Sequence, residues 1–595
     1  MINSIILGSW NMLVSHFFLI FMTATNMGSS PHVNVKLSLI VVCKLLVIGN
    51  CLNTTNVYLS NKDETTPLPI ETIFKLPSPL PTWPPGGGFA AGEIDLGGLQ
   101  IRQISSFQKI WSANEGGPNN LGATFFEPSS IPDGFSMLGA YAQPNNQPLF
   151  GWVLVGKTNA SDESGAILKP PTDYTLQANT PQNTAYFWLP TPPDGYKPVG
   201  LVVTPSPDKP SLDKIRCVRS DFTDESETDN WVWGENGLNV YGLRPKTRGT
   251  NAQPLSVGTF TVQTSTNATQ PLSCLKNKNP RITSTPNLNQ INTLFQAYSP
   301  YIYFHPDENY HPSSVNWFFT NGALLYTKGN ESNPVTIQPD GSNLPQGGSN
   351  DGAYWLDLPV DKQARGNVVK GDLQTAEVYL HVKPVLGSTF TDIQVWVFYP
   401  FNGHAVAKLG FIKKIQLGKI GEHVGDWEHV TLRISNFDGT LYRVFFAQHG
   451  GGQWVDSCLL EYGNGNKFVG YASLNGHASY YRAGLVLLGG DDDVGIRDDT
   501  SKSDVVMDTG GRFTVVAADG LSVVAPPWLD YGREWGPNIT YDFANDVRKV
   551  EKLLIGKLKT KFRKLMKSLP SELYGEEGPT GPKMKNNWDG DENEH

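Results

Sequence analysis

The chain has 595 residues, with 60 glycines, 43 prolines, 11% aromatic and 17% charged residues, and a formal net charge of -9. This composition is typical of an all-β protein with many turns and excludes a mainly helical or disordered chain. The negative charge argues against nucleic-acid binding. Five dispersed cysteines without a Cys-x-x-Cys pair indicate neither a zinc ribbon nor a dense disulfide framework.

The N-terminal region, residues 1–55, carries two short apolar runs, 12–22 and 37–48, that polar residues interrupt. Neither run reaches the roughly 20 apolar residues that span a bilayer. Two interpretations stay open: a signal peptide or anchor, or an extension from a gene model that starts too early. If residues 1–55 are a real signal peptide or anchor, we expect the protein to enter the secretory pathway. Without one, we expect a protein that is cytoplasmic or peripheral to endomembranes or the vacuole.

A linker over 56–80 and a repeated-β domain over 81–270 come next. The turn sequence Pro-Asp-Gly occurs at 132–134 and again at 193–195, a period of 61 residues. Proline presets φ and glycine accepts a positive φ, so both copies predict turns. The period predicts a repeated β unit, prism-like or sandwich-like, in which the two turns are equivalent.

A second linker, 271–293, leads to a predicted β-sandwich domain over 294–542. Its sequence alternates apolar and polar residues between glycine-rich turns, which is a strand pattern. Two histidines, His449 and His477, lie beside such turns. Each is an ordinary surface histidine unless the fold brings it to His423.

The segment 421–435 is the leading candidate for a site, because His423, Asp426, Glu428 and His429 lie within seven residues. It continues into an apolar strand row. Alternate residues of a strand share a face, so we expect Asp426 and Glu428 on the face of that row. A carboxylate pair at the edge of a core needs a hard cation, an arginine or a shared proton. The alternative is a solvated strand rim.

Apolar residues near the C-terminus recur every three or four positions and predict one amphipathic helix over 543–569. Its other faces are basic. The helix either binds an anionic membrane or packs its apolar stripe on the β domain. The membrane-binding residues would be Lys557, Lys559, Lys561, Arg563 and Lys564. A disordered tail is predicted over 570–595.

Long segments of the chain match one known family. They are TWPPGGGFAAGEIDLGGLQIRQIS (82–105), EGGPNNLGATFFEPSSIPDGFSMLG (115–139), QPNNQPLFGWVLV (143–155), GDWEHVTLRISNFDG (425–439) and ELYGEEGPTGPK (572–583). They resemble the plant vacuolar protein sorting-associated protein 62 family, from about residue 76 to the end. The resemblance implies a role in vacuolar protein sorting, with a membrane surface or a trafficking protein as the partner.

A more distant likeness concerns His423-x-x-Asp426-Trp427-Glu428. This segment is similar to the GHRHDWE heptapeptide of the necrosis-inducing, cytolytic protein family. The resemblance implies a β-sandwich in which His423, Asp426 and Glu428 surround a divalent cation. Asn402 stands where that family has an upstream aspartate, and Gly425 replaces its second histidine.

From this resemblance we expect a metal site of His423, Asp426, Glu428 and Asn402. These ligand types suit Mg²⁺, Ca²⁺ or Mn²⁺. We expect the remaining histidines of this region to bind ligand at the same end of the domain. They are His429, His449 and His477.

The function that the sequence predicts is a non-enzymatic protein of vacuolar protein sorting and membrane trafficking. The first alternative is a lipid- or glycan-binding module that depends on a divalent metal. The second is a hydrolase that uses Asp426 and Glu428 as acid and base. No nucleophile elbow, P-loop or HExxH motif occurs in the chain. The sequence identifies neither the ligand nor the oligomeric state.

Overall fold

The computed structural model describes residues 68–159, 166–264, 271–279, 284–410, 412–491, 494–538, 543–552, 554–568 and 578–592. Every described residue belongs to one compact unit, Leu68–His595. The apolar extension predicted over 1–55 lies outside the described residues. As predicted, the fold is mainly β, with 40% of the described residues in strands and 14% in helices. No helix in the described ranges is long and apolar enough to cross a bilayer.

Eighteen strands are described in the N-terminal half. They are β1 (Glu93–Asp95), β2 (Leu99–Ile104), β3 (Phe107–Ser112), β4 (Ala123–Pro128), β5 (Ser136–Met137), β6 (Tyr141–Pro144), β7 (Val153–Thr158), β8 (Leu168–Lys169), β9 (Asp173–Asn179), β10 (Tyr186–Thr191), β11 (Tyr196–Lys197), β12 (Val202–Thr204), β13 (Cys217–Arg219), β14 (Thr223–Glu235), β15 (Leu238–Pro245), β16 (Pro254–Leu255), β17 (Phe260–Gln263) and β18 (Ser273–Lys276).

The C-terminal half contains the remaining described strands. They are β19 (Tyr301–Tyr303), β20 (Leu324–Thr327), β21 (Val335–Thr336), β22 (Tyr354–Asp357), β23 (Val378–Val385), β24 (Phe390–Asn402), β25 (Val406–Leu409), β26 (Ile412–Gln416), β27 (His423–Ser435), β28 (Leu441–Gln448), β29 (Gly451–Asp456), β30 (Val469–Ala472), β31 (Ser479–Tyr480), β32 (Gly484–Asp491), β33 (Val494–Thr500), β34 (Val506–Asp508) and β35 (Phe513–Ala518).

Helices are short by comparison. The α-helices are α1 (Leu288–Tyr298), α2 (Val315–Thr320), α3 (Lys362–Val368), α4 (Phe543–Lys552) and α5 (Lys557–Ser568). The 3₁₀ helices are Pro69–Glu71, Pro118–Asn120, Ser220–Phe222, Leu386–Ser388, Ser457–Leu459, Thr509–Gly511, Pro527–Asp530 and Pro582–Met584.

The two Pro-Asp-Gly turns have the same local geometry. In each, the residue after glycine donates its backbone N–H to the proline carbonyl, at 3.1 Å in both cases. Gly134 and Gly195 have φ values of 82° and 80°. Five residues farther on, the backbones of Gly139 and Gly200 meet, and a Cβ on Gly139 would lie 2.8 Å from the Cα of Gly200. The turns are therefore locally alike, while the internal repeat itself stays a prediction.

One apolar cluster contains residues from both predicted domains. Leu154 and Leu255 of the first domain pack in the same cluster as Phe390 and Phe437 of the second. The stretch predicted as a linker, 271–293, contains β18 and the start of α1. Strand β18 pairs with both β14 and β16, so this part of the chain is built into a sheet. The domain boundaries predicted from the sequence stay a prediction.

The central feature of the C-terminal half is a six-stranded sheet in the order β29-β28-β27-β24-β23-β35. Its longest pairing is the antiparallel one between β24 and β27, two strands of 13 residues each. One face of these strands is apolar and packs against α1 and β19 in a large buried cluster. Alternate residues point to the other face, where buried polar and charged side chains are concentrated. These polar residues are His381, Lys383, Asp392, Gln394, His429, Thr431 and Arg433.

The C-terminal segment 578–592 covers that polar face, although the sequence predicts a disordered tail over 570–595. Trp588 stacks on His381 with ring centroids 3.8 Å apart. Lys383 donates through Nζ to three carbonyl oxygens of the segment, at 2.6, 2.8 and 3.3 Å. The prediction of disorder is wrong for 578–592, because a polar composition is compatible with order when the partner surface is polar too. The remaining tail residues lie outside the described part.

The basic helix predicted over 543–569 is a pair of helices, α4 and α5. The break falls next to Gly556, which has a φ of 57°. Leu554, Phe562 and Leu565 are buried against the small sheet β26-β25-β33-β32. The apolar stripe therefore packs on the β structure, which was one of the two interpretations of the sequence.

The tail contact gives the first testable prediction. Trp588→Ala should lower the free energy of unfolding by about 3 kcal/mol, because it removes a buried aromatic ring and exposes the polar sheet face beneath. Chemical denaturation of the full chain measures this change. Met584→Ala is the matched control, since this tail side chain is 40% exposed. Equal stability of the two variants would show that the tail contributes nothing to the fold.

Candidate functional site

The strand register places the carboxylate pair as the sequence predicted. Asp426 lies opposite Tyr399 and Glu428 opposite Val397, on the face that continues into Val430. Both carboxylates therefore point toward the apolar side of the central sheet, near the end where β24 finishes and β27 begins. We call these two carboxylates and the charged or titratable side chains around them the sheet-end site. Its members are Glu308, His423, Asp426, Glu428, His449, His477 and Asp498.

Gly425 interrupts β27 just before the pair. Its φ is 69°, and a Cβ at this position would lie 2.4 Å from the carbonyl oxygen of Trp535. The position therefore requires glycine for two reasons, the left-handed backbone and the close approach. This geometry gives the physical reason why no histidine stands between His423 and Asp426.

His477 is the buried cation of the site. Its Nδ1 lies 3.0 Å from Asp426 Oδ2, and its Nε2 lies 3.9 Å from Glu308 Oε2. The ring stacks on Tyr399 with centroids 3.9 Å apart. Burial disfavours its charge, but the two carboxylates outweigh burial and raise the pKa of His477 to about 10. In return, the hydrogen bond from His477 lowers the pKa of Asp426 against the opposing effect of burial.

His449 forms a second ion pair at the same end. Its Nε2 lies 3.0 Å from Asp498 Oδ2, and Asp498 also accepts a hydrogen bond from the Tyr480 hydroxyl. Asp498 outweighs the effect of burial and raises the pKa of His449 to about 9. The side chain of His449 is 33% exposed, so this charge faces solvent. His449 and His477 both adopt a positive φ, of 57° each, in their turns. Such strained positions cluster at functional sites.

Glu428 and His423 are the open groups of the site. The side chain of Glu428 has no hydrogen bond or ion pair with another described residue. Burial and the negative charge of Asp426 raise the pKa of Glu428 to about 8. His423 Nε2 lies 3.9 Å from Asp426 Oδ1, too far for a hydrogen bond, and its Nδ1 is buried without a described partner. Burial lowers the pKa of His423, which favours the neutral imidazole at neutral pH.

Asn402 lies beside the site, opposite His423 in the strand pair. Its amide nitrogen donates to the carbonyl oxygens of Gly421 and Gly403, at 2.7 and 3.2 Å. Only its amide oxygen is therefore able to serve as a ligand. Within the described ranges, no three His, Cys, Asp or Glu side chains are grouped closely enough to form a metal centre as they stand.

His429 is not part of the sheet-end site. It points to the opposite face of β27, stacks on Trp396 and lies 3.1 Å from Glu592 Oε2. The alternation of the strand was the signal for this placement, because His429 follows Gly425 in the regular part of β27 and is an odd number of positions away from both Asp426 and Glu428.

Sequence reasoning missed three further residues, two members of the site and one that acts on it from outside. Glu308 follows β19, Asp498 belongs to β33, and Lys585 comes from the C-terminal segment. The positive charge of Lys585 favours ionisation of both Asp426 and Glu428. No local pattern marks these residues, because each reaches the site only through the tertiary fold. Together the ion pairs neutralise most carboxylates and leave Glu428 and His423 available to a ligand.

Comparison with known proteins gives one family and several distant structures. The family model described as Vacuolar protein sorting-associated protein 62 matches residues 70–592. No curated protein matches the chain.

Similar solved structures include GNIP1Aa from Chromobacterium piscinae, with 17% identity over 34% of this chain and 40% of that chain, and a TM-score of 0.25. Necrosis and Ethylene inducing Protein 2 from the causal agent of cocoa's witches broom disease has 15% identity over 32% and 67%, with a TM-score of 0.18. The non-toxic HaNLP3 protein has 11% identity over 39% and 75%, with a TM-score of 0.20. The second of these proteins is named for the necrosis-inducing class that residues 423–428 resemble. At these TM-scores the likeness carries no argument about activity.

The raised pKa of Glu428 predicts a pH-dependent effect of Glu428→Gln. The native carboxyl keeps its proton up to about pH 8, whereas the unfolded one releases it near 4.5, so wild-type stability falls as the pH rises between these values. At pH 8.5 in EDTA, the variant should be more stable than wild type by about 2 kcal/mol. The difference should shrink as the pH falls toward 4.5.

Denaturation curves over this pH range provide the measurement. Glu225→Gln is the control, because Glu225 is 73% exposed and pairs with Lys246 at the surface. Its pH profile should follow wild type. A Glu428→Gln profile parallel to wild type would contradict the assignment of Glu428 as the protonated member of the pair.

Proposed function

The chain belongs to the vacuolar protein sorting-associated protein 62 family, and we propose that it is a non-enzymatic protein of vacuolar sorting that acts by binding. Family membership fits association with endomembranes, and we propose a peripheral protein there. The observation that carries the binding role is the sheet-end site, where Glu428 and His423 stay open inside a rigid network. Two histidine–carboxylate ion pairs fix the surroundings of these groups, which is the arrangement expected of a preorganised ligand site.

The charge balance of the site favours binding over catalysis. Asp426 is held by His477 through one oxygen, and Asp498 is held by both His449 and Tyr480. A hydrolase that uses two carboxylates needs both of them free to reach the substrate. The hydrolase alternative would use Glu428 as the acid, because its pKa of about 8 keeps it protonated beside ionised Asp426. Turnover of a glycoside or ester that Glu428→Gln abolishes would establish that alternative.

A divalent cation is a second candidate for the same site. The observation in its favour is that His423 Nε2 and Asp426 Oδ1 face each other at 3.9 Å without a hydrogen bond, beside the open carboxyl of Glu428. These three residues would hold the ion, with the Asn402 oxygen as a further donor. Oxygen ligands and one imidazole suit Mg²⁺, Ca²⁺ or Mn²⁺. A bound cation would supply a positive centre for an oxygen-rich lipid headgroup or glycan.

The positive charges of His449, His477 and Lys585 oppose such an ion, so we expect weak binding, with a dissociation constant of about 0.1–1 mM. Calorimetric titration with Ca²⁺, Mg²⁺ and Mn²⁺ measures it. Glu428→Gln should abolish the heat, because it replaces the one carboxyl that can release its proton to a cation by a neutral amide of the same shape. The control Glu225→Gln should bind as wild type does. Absence of heat at millimolar metal in wild type would remove the cation from the proposal.

The sorting role has its own test in cells. Depletion of the protein should divert a soluble vacuolar cargo protein to secretion, and the wild-type chain should restore its delivery. A Glu428→Gln chain that is folded but fails to restore delivery would link the sheet-end site to sorting. Normal cargo delivery in depleted cells would reject the proposed role.

A further inference from the structure

The helix pair α4 and α5 presents a strongly basic surface on an otherwise acidic protein. Nine basic residues lie between positions 548 and 567, and Glu551 is the single acidic residue in that interval, although the whole chain has a net charge of -9. Glu551 is already paired, since Arg563 donates to its two carboxylate oxygens through Nε and Nη2, at 2.7 and 2.9 Å. The surface therefore keeps a large positive excess.

The packing of the pair decides which side chains face solvent. Val550, Leu554, Phe562 and Leu565 are buried in one apolar cluster with the sheet that contains β25 and β33. The apolar stripe is thus used within the protein and is not available for insertion into a bilayer. The solvent side carries exposed basic residues, which we call the basic face. They are Arg548, Lys549, Lys552, Lys557, Lys561, Arg563, Lys564 and Lys567.

One apolar side chain interrupts the basic face. Ile555 lies in the turn between α4 and α5 and is 86% exposed. Its sequence neighbours on the two helices, Lys552 and Lys557, are exposed and basic. A large aliphatic residue this exposed is unfavourable in water and becomes favourable when it enters the interfacial region of a membrane.

We propose that the basic face and Ile555 form a docking surface for an anionic membrane. The basic side chains bind lipid headgroups, and Ile555 inserts at the boundary between headgroups and acyl chains. A membrane fits better than nucleic acid for two reasons. The chain has a negative net charge, and the described part of the helix pair has no exposed aromatic side chain on which a base could stack. The negative charge elsewhere on the protein orients this face toward the bilayer. The inference rests on the proposed peripheral role and names the surface that performs it.

Sedimentation with vesicles tests the docking surface. We expect the full chain to bind vesicles of phosphatidylcholine with phosphatidylserine, to ignore vesicles of phosphatidylcholine alone, and to dissociate as salt is raised. Replacing Lys557, Lys561, Lys564 and Lys567 together by Gln should weaken binding by about fivefold per charge removed. Ile555→Ser should weaken it by roughly five- to tenfold without changing the salt dependence.

Matched controls keep the same change of charge or hydrophobicity at other surfaces. Gln replacements of the exposed residues Lys197, Lys328, Lys362 and Lys370 should leave vesicle binding close to wild type. Val360→Ser should also be neutral, since Val360 is 70% exposed outside the helix pair. All substituted side chains of the basic face are exposed, so thermal melting should match wild type.

Three results with vesicles that do bind would overturn the proposal. They are wild-type binding by the fourfold variant, an equal loss in the control, and binding that does not depend on anionic lipid. If the basic face binds an acidic protein instead, the chain should not bind vesicles at all, and that result would also overturn the proposal. Failure of vesicle binding with intact cargo sorting would reject this surface alone and leave the sorting role standing.

Discussion

The charged face of the central sheet is the constraint on which the rest of this fold depends. Arg433 makes a bidentate ion pair with Asp392, at 2.8 Å for both contacts, and both side chains are buried. A buried pair of this kind is tolerated only when its remaining hydrogen-bonding groups are also satisfied. Asp591 of the C-terminal segment contributes to that satisfaction, because it accepts a hydrogen bond from Arg433 at 3.3 Å.

The C-terminal segment therefore covers the polar face of the central sheet as an additional layer. The Glu592 carboxylate accepts hydrogen bonds from Gln394, Thr431 and Asn587. Asp591 also pairs with Arg248 of the N-terminal half, so one short segment connects the central sheet to the preceding β structure. An apolar layer could not replace it, since Lys383 and Gln394 would then be buried without partners.

The sheet-end site depends on the same alternation of side chains. From Asp426 onward, residues at even positions of β27 face the apolar cluster and bring Asp426 and Glu428 to the end of the sheet, while Arg433 and His429 face the tail. Because Asp426 and Glu428 are close, only one of them is readily ionised, and His477 determines that this is Asp426. Glu428 therefore stays open because His477 pairs with Asp426 instead.

The sequence by itself determined the features that have a short period. It predicted the mainly β class, the shared face of Asp426 and Glu428, the apolar stripe through Leu554 and Phe562, and the family. The β class follows from the composition of the whole chain and the family from long matching segments, whereas the shared face and the apolar stripe follow from nearby residues, where strand and helix geometry dictate direction. The exclusion of His429 from the site was available from the same rule.

Only the tertiary structure decided which distant groups meet. Glu308 and Asp498 reach the site from other strands and loops, and Lys585 reaches it from a segment whose composition predicts disorder. The order of 578–592 depends on a polar surface that the chain builds almost 200 residues earlier, through Lys383 and Gln394. Long-range pairing of this kind leaves no periodic signal, because its free energy comes from two complementary surfaces and not from either sequence alone.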